Sequence, residues 1–253
     1  MGRINRGFAL AAPLALLAVF VGCGGDTTGS GAPNPAAGAV ALSFSVPQGV
    51  AFDRRAETLG GHTLELSQVQ MVVSRIRLRL SDQTEPGCAG PNEQHPCTDF
   101  KAGPVLVDLP VHGGLVTPVA ADVPAGSYRF ILINVFPPSG DDAAATAFRT
   151  TNGWPAASSM RVKGTYDGQA FDIYLPVNGE VYNKLDPPFV VTNDSKGSFN
   201  VTIAVDPHGW FKTKEGALID PRSLAAEAGL RDLVSGNVRA SFRAFSDNQR
   251  HGQ

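Results

Sequence analysis

The chain has 253 residues, with 21 Lys and Arg against 23 Asp and Glu and a formal net charge of −2 at pH 7. That balance lacks the clustered positive charge of a nucleic-acid binder, so no nucleic-acid partner is expected. Hydrophobic residues make up 43% of the chain, enough for a real core, and 28 glycines with 19 prolines suit many turns between short strands.

The N-terminus opens Met1-Gly2-Arg3-Ile4-Asn5-Arg6, positive and without an acid. Residues 8–21 then carry no charge. This run falls short of the ~20 residues a helix needs to cross a bilayer core, but it has the length of a signal-peptide h-region. It ends in Phe20-Val21-Gly22-Cys23. Those residues resemble the lipobox of bacterial lipoproteins. Gly22 and Cys23 match it, and Phe20 stands where leucine is usual. The resemblance implies cleavage before Cys23, diacylglycerol on its thiol, and acylation, as by palmitate, of the new amine. Several acyl chains anchor a protein stably where one holds it only marginally. Gly24 rather than Asp follows the cysteine, which by the family's sorting pattern implies the outer membrane. An ordinary secretory signal with a chance cysteine is the competing reading. Residues 1–22 therefore read as a signal peptide. Residues 23–38, rich in Gly, Ser, Thr, Ala and Pro, read as a flexible tether. With no internal repeat and no second linker, residues 39–253 read as one domain.

If Cys23 carries lipid, Cys88 and Cys97 remain. They flank the turn-rich segment 89–96, and in an oxidising compartment they read as a disulfide. A zinc site with His95 is the alternative, but it lacks a fourth ligand and the usual spacing.

The domain reads as β almost throughout. Residues 39–46 alternate and stop at Pro47. Residues 63–80 form one long segment with three apolar phases: Leu64 and Leu66, then Val69, Met71 and Val73, then Ile76, Leu78 and Leu80. Two phase slips predict two bulges, or a strand that passes from one sheet to another. Residues 105–109 form a short strand. A turn at Pro124-Ala125-Gly126 leads into residues 128–136, apolar on both faces and so expected to be central.

Asp167-Gly168 is the strongest turn signal, because a type I′ turn needs positive φ at both positions. Pairing outward sets Gly164 opposite Phe171, Val162 opposite Ile173 and Met160 opposite Leu175 on an apolar face. The other face pairs Thr165 with Ala170, Lys163 with Asp172 and Arg161 with Tyr174. Residues 198–205 form a further strand, with Phe199, Val201, Ile203 and Val205 inward. Asp220-Pro221 is an N-cap followed by Pro at the first helical position, and residues 224–233 read as a helix. Residues 238–245 suit helix and strand almost equally. The fold class expected is mainly β: an antiparallel β-sandwich with one or two short helices near the C-terminus.

The order of features resembles a group of uncharacterised bacterial surface lipoproteins with a transthyretin- or immunoglobulin-like sandwich. The matching pieces are Ile76-Arg77-Leu78-Arg79-Leu80, Pro124-Ala125-Gly126-Ser127-Tyr128 and the stretch 205–211. Ile219-Asp220-Pro221 and Ser241-Phe242-Arg243-Ala244-Phe245 complete the set. The resemblance implies a fold for residues 39–250 and no activity. Some such proteins end in a calcium loop. Here Asp247-Asn248-Gln249-Arg250-His251-Gly252 offers Gln249 and His251 where oxygen ligands belong, and Arg250 adds positive charge, so no metal is expected.

No nucleophile elbow, zinc-protease motif, phosphate loop or dinucleotide fingerprint is present. The five histidines, at 62, 95, 112, 208 and 251, are scattered. No catalytic residue and no cofactor is expected. A hydrolase would need a site assembled in space. Asp206, His208 and Trp210 form the densest candidate site. If residues 206–210 stay extended, the three side chains share a face that could bind carbohydrate or metal. If Asp206-Pro207 starts a turn, Trp210 packs into the core instead. Arg75, Arg77 and Arg79 form a stripe that could meet lipid phosphates or an acidic partner, or simply pair within its own sheet. Asp141-Asp142 reads as a polar loop tip. The expectation is a non-enzymatic module in the cell envelope, anchored in the outer membrane and meeting an envelope protein or a glycan.

Overall fold

A hydrophobic pattern with period two along most of the chain has to bury one face of each strand, and two sheets packed face to face are the outcome. The computed structural model describes residues 37–47, 56–81, 98–192 and 199–246, all within the unit Pro35–Gln253. Cys23, Cys88, Cys97, His95, residues 23–36 of the expected tether and the stretch 247–252 lie outside the described residues, while residues 37 and 38, also assigned to that tether, already belong to the first strand.

The smaller sheet contains β1 (Ala37–Ser45), β5 (Leu115–Pro124), β10 (Phe199–Val205) and β11 (Phe242–Ser246), in the order β11-β10-β1-β5. The larger contains β2 (Ala56–Leu59), β3 (His62–Leu80), β4 (Thr98–Leu109), β6 (Gly126–Val135), β7 (Met160–Tyr166), β8 (Gln169–Leu175) and β9 (Gly179–Val191). The fold is the expected mainly β sandwich. Among the described residues its strand pairings are antiparallel except one: β1 and β10 run parallel, with Leu42 opposite Val201 and Phe44 opposite Ile203. The core between the sheets includes Leu42, Phe44, Met71, Ile76, Ile133, Ile203 and Trp210. Burying such a side chain fully contributes about 1.5–3 kcal/mol.

β3 organises the larger sheet. It takes β2 and then β4 along one edge, and β7 and then β6 along the other. Both phase slips are bulges: register shifts fall between Leu66 and Gln68 and between Val73 and Arg75. Each re-aims the strand, so that Leu64 and Leu66, then Val69, Met71 and Val73, then Ile76 and Leu78 all face one core. Val72 breaks that pattern. It is fully buried on the opposite face, against Phe148 and Trp154.

The cover over Val72 is α1 (Ala143–Asn152), a mid-chain helix absent from the expected set. The Asp142 carboxylate accepts from Ala145 N at 2.8 Å, so the supposed loop tip is an N-cap. Only Ala145 and Phe148 of α1 are buried, which is why no apolar stripe announced it. The C-terminal helix is also displaced. The chain first makes a 3₁₀ turn, Pro221–Ala225, capped by Asp220, and α2 then runs over Ala228–Ala240. The ambiguous stretch 238–245 divides at Ser241 into the end of α2 and the start of β11.

The hairpin of β7 and β8 has the register read from the sequence, from Met160 opposite Leu175 to Thr165 opposite Ala170. Asp167 and Gly168 have φ of 51° and 75°, as the turn requires. On the polar face the tighter ion pair is diagonal. Arg161 Nε and Nη2 donate to the two oxygens of Asp172 at 2.8 and 2.6 Å, while Lys163 stays 3.9 Å away. The hydrogen bonds from Arg161 hold the Asp172 carboxyl below its ordinary value of 3.8. A depressed folded pKa stabilises above the unfolded value and ceases to do so as pH falls through the folded one. Asp172→Asn is therefore expected to cost under about 1 kcal/mol near neutrality, because the pair is partly exposed. Chemical denaturation at about pH 7 and about pH 2 checks this, with the deficit vanishing at the lower pH.

Candidate functional site

β10 leaves its sheet at Val205. Asp206 has extended backbone, and its Oδ1 accepts from His208 N at 2.9 Å. Pro207 fixes φ for a 3₁₀ turn, Pro207–Gly209, which Trp210 N closes on Pro207 O at 3.2 Å. Residues 206–210 therefore turn rather than stay extended. Asp206, His208 and Trp210 do not share a face: His208 is exposed, and Trp210 is 0% exposed.

The buried indole is fixed by α2. Its Nε1–H donates to Ser241 Oγ at 2.9 Å, and Ser241 Oγ donates to Val238 O at 2.7 Å. Asn237 Nδ2 donates to Trp210 O and Lys212 O at 3.1 and 3.0 Å. The end of α2 is thus stapled to the turn through side chains whose polar groups are satisfied.

This stapling leaves a groove of about 770 Å³ beside the turn. Ser45 and Pro47 close it at the end of β1, Ala204 and Asp206 at the end of β10, and Arg243 and Phe245 along β11. Trp210 lies beneath its floor. Arg243 Nη1 donates to Ala240 O at 2.9 Å, the last carbonyl of α2 and so at its negative end, and to Phe242 O at 2.7 Å, the first of β11. Phe245 is 42% exposed. Of the groove residues, only Asp206 and Trp210 are legible as candidates in the sequence. Arg243 and Phe245 join them through the pairing of β10 with β11, which sets Ala204 opposite Arg243 and Thr202 opposite Phe245.

The other candidates are mostly engaged within the fold. Arg77 pairs with Glu180, and Arg79, nearly buried, lies 5.8 Å from the Phe130 ring centre. Arg77 and Arg79 of the arginine stripe are thus used within their own sheet. His62 Nδ1 is 2.8 Å from Asp167 Oδ2, and its ring stacks on Tyr166 at 5.5 Å. That hydrogen bond, with one from Thr63 N, lowers the Asp167 pKa. A second cleft of about 540 Å³ is lined by Gln68, Asp108, His112 and Lys163. Gln68 Nε2 donates to Asp108 there at 3.1 Å. Among the described residues no group of three or more His, Cys, Asp and Glu could hold a metal ion.

No protein-family model matches this chain, and no curated protein or solved structure matches it either.

Proposed function

We propose that the chain is a lipid-anchored protein of the bacterial cell envelope, whose sandwich is a non-enzymatic binding or structural module. The observation that carries the anchor is the N-terminal order: Arg3 and Arg6, the uncharged run 8–21, then Gly22-Cys23. Lipid on Cys23 holds the domain at the outer membrane, where it meets an envelope protein or a glycan. In that oxidising compartment Cys88 and Cys97 form a disulfide. What supports a binding role over catalysis is how the groove's polar groups are used. Asp206 caps a turn, Ser241 and Asn237 staple α2, and Arg243 caps its end. Such groups are oriented and rigid, which suits recognition. A carbohydrate or metal site made of Asp206, His208 and Trp210 together has less support, because the 3₁₀ turn separates them.

The test is Cys23→Ala in cells fed a labelled fatty acid, followed by fractionation. Label is expected to disappear from the chain, and the chain to leave the membrane fraction. Retained label with unchanged membrane association overturns the anchoring.

A further inference from the structure

We infer that the groove beside the 206–210 turn binds a small zwitterion with an apolar side chain, that is, an amino acid or dipeptide with free amino and carboxyl groups. This rests on the binding reading of the domain and not on the lipid anchor.

The first observation is a pair of opposite charges that do not meet. Asp206 and Arg243 line the same groove, yet neither takes part in an ion pair among the described residues. Facing charges on mobile side chains would collapse onto each other. Here each is tied to backbone: Asp206 Oδ1 to His208 N–H, and Arg243 Nη1 to the carbonyls of Ala240 and Phe242. Asp206 Oδ2 and the Nε and Nη2 edge of Arg243 take no hydrogen bond among the described residues. A carboxylate acceptor and a guanidinium fork, held apart on one groove, match an ammonium and a carboxylate held apart on one ligand.

The second observation is what lies around them. Pro47, Ala204, Ala240 and Phe245 give the groove an apolar lining, and Trp210 keeps its floor rigid. Phe245 and Arg243 are two apart on β11 and so point the same way, placing an exposed ring beside the guanidinium. A ligand whose carboxylate meets Arg243 can lay its side chain on Phe245. The volume lies in the ordinary range for small-ligand sites, about 300–1,000 Å³.

Isothermal titration calorimetry at low salt tests this with the full chain in detergent and the dipeptide Leu-Phe as probe. Its N-acetyl and C-amide derivatives serve as comparisons. Saturable one-to-one binding of Leu-Phe is expected, weakened about tenfold or more by blocking either end. Arg243→Gln is expected to make the acid and the amide bind alike. Asp206→Asn keeps the turn cap and is expected to make the free and acetylated amines bind alike. Phe245→Ala alters only an exposed ring and is expected to weaken binding with the circular dichroism unchanged, which separates loss of a contact from loss of the fold. No heat with Leu-Phe, or equal binding of free and blocked forms, overturns the inference. The fatty-acid label on Cys23 is indifferent to that result.

Discussion

Gly164→Ala is expected to destabilise the domain by about 3 kcal/mol or more, at the upper end of overpacking effects. A Cβ built on Gly164 lies 1.9 Å from the backbone oxygen of Glu65 and 3.0 Å from the Phe171 ring. A side chain could swing away from such a clash, but the carbonyl belongs to β3 just before its first bulge. That segment is held by β2 on one edge and β7 on the other. The methyl group can fit only if the two strands separate, which breaks the ladder between Leu64 and Met71. For a domain of this size, about 3 kcal/mol corresponds to roughly 6–12 °C in Tm. Gly236→Ala is the control. It lies within α2, nothing stands within 4 Å of its added Cβ, and helix propensity predicts a gain of about 0.5–1 kcal/mol. Thermal melts that move both variants the same way would contradict the close-approach account.

Trp210→Ala is expected to cost about 3–5 kcal/mol, the range for emptying a large aromatic site. The indole is wholly buried, and the end of α2 is tied to the 206–210 turn at it through Ser241 and Asn237. Trp210→Phe separates the two contributions. It keeps most of the volume but drops the N–H bonded to Ser241. Ser241 still donates to Val238 O, so that part of the loss is about 1 kcal/mol. Urea midpoints of the two variants read the difference directly. Equal losses would mean that the hydrogen bond, and not the packing, fixes α2.

How much of this was legible depends on how local each feature is. The β7–β8 hairpin was readable because Asp167-Gly168 and the period-two pattern point to one register within 16 residues. The bulges of β3 were readable for the same reason: a slip in apolar phase is a slip in register. The parallel pairing of β1 with β10 joins strands at opposite ends of the domain, and no local pattern encodes it. β9 was hidden by its composition. Asn183 stands at an inward position, and Pro187-Pro188 sits inside the strand, where its register with β6 shifts. α1 was hidden because just two of its residues are buried. The groove shares this limit. Asp206 and Trp210 stood out as a cluster, but the spacing that suggested a shared face assumed extended backbone, and Pro207 and Gly209 turn the chain. Arg243 reaches the groove only through the pairing of β11 with β10, which no local pattern encodes.

The direction of β1 has a mechanical consequence. The chain enters the domain at Ala37, and the other end of that strand, Ser45 and Pro47, borders the groove about 30 Å away at ~3.3 Å per residue. A pull applied at Ala37 against a partner held in the groove would load the domain from the two ends of one strand. β1 is hydrogen-bonded along both edges, to β10 and to β5. Such a load runs lengthwise and must shear both ladders together, where an edge strand would peel off one bond at a time. A pull at Ala37 thus meets one of the two inner strands of the small sheet.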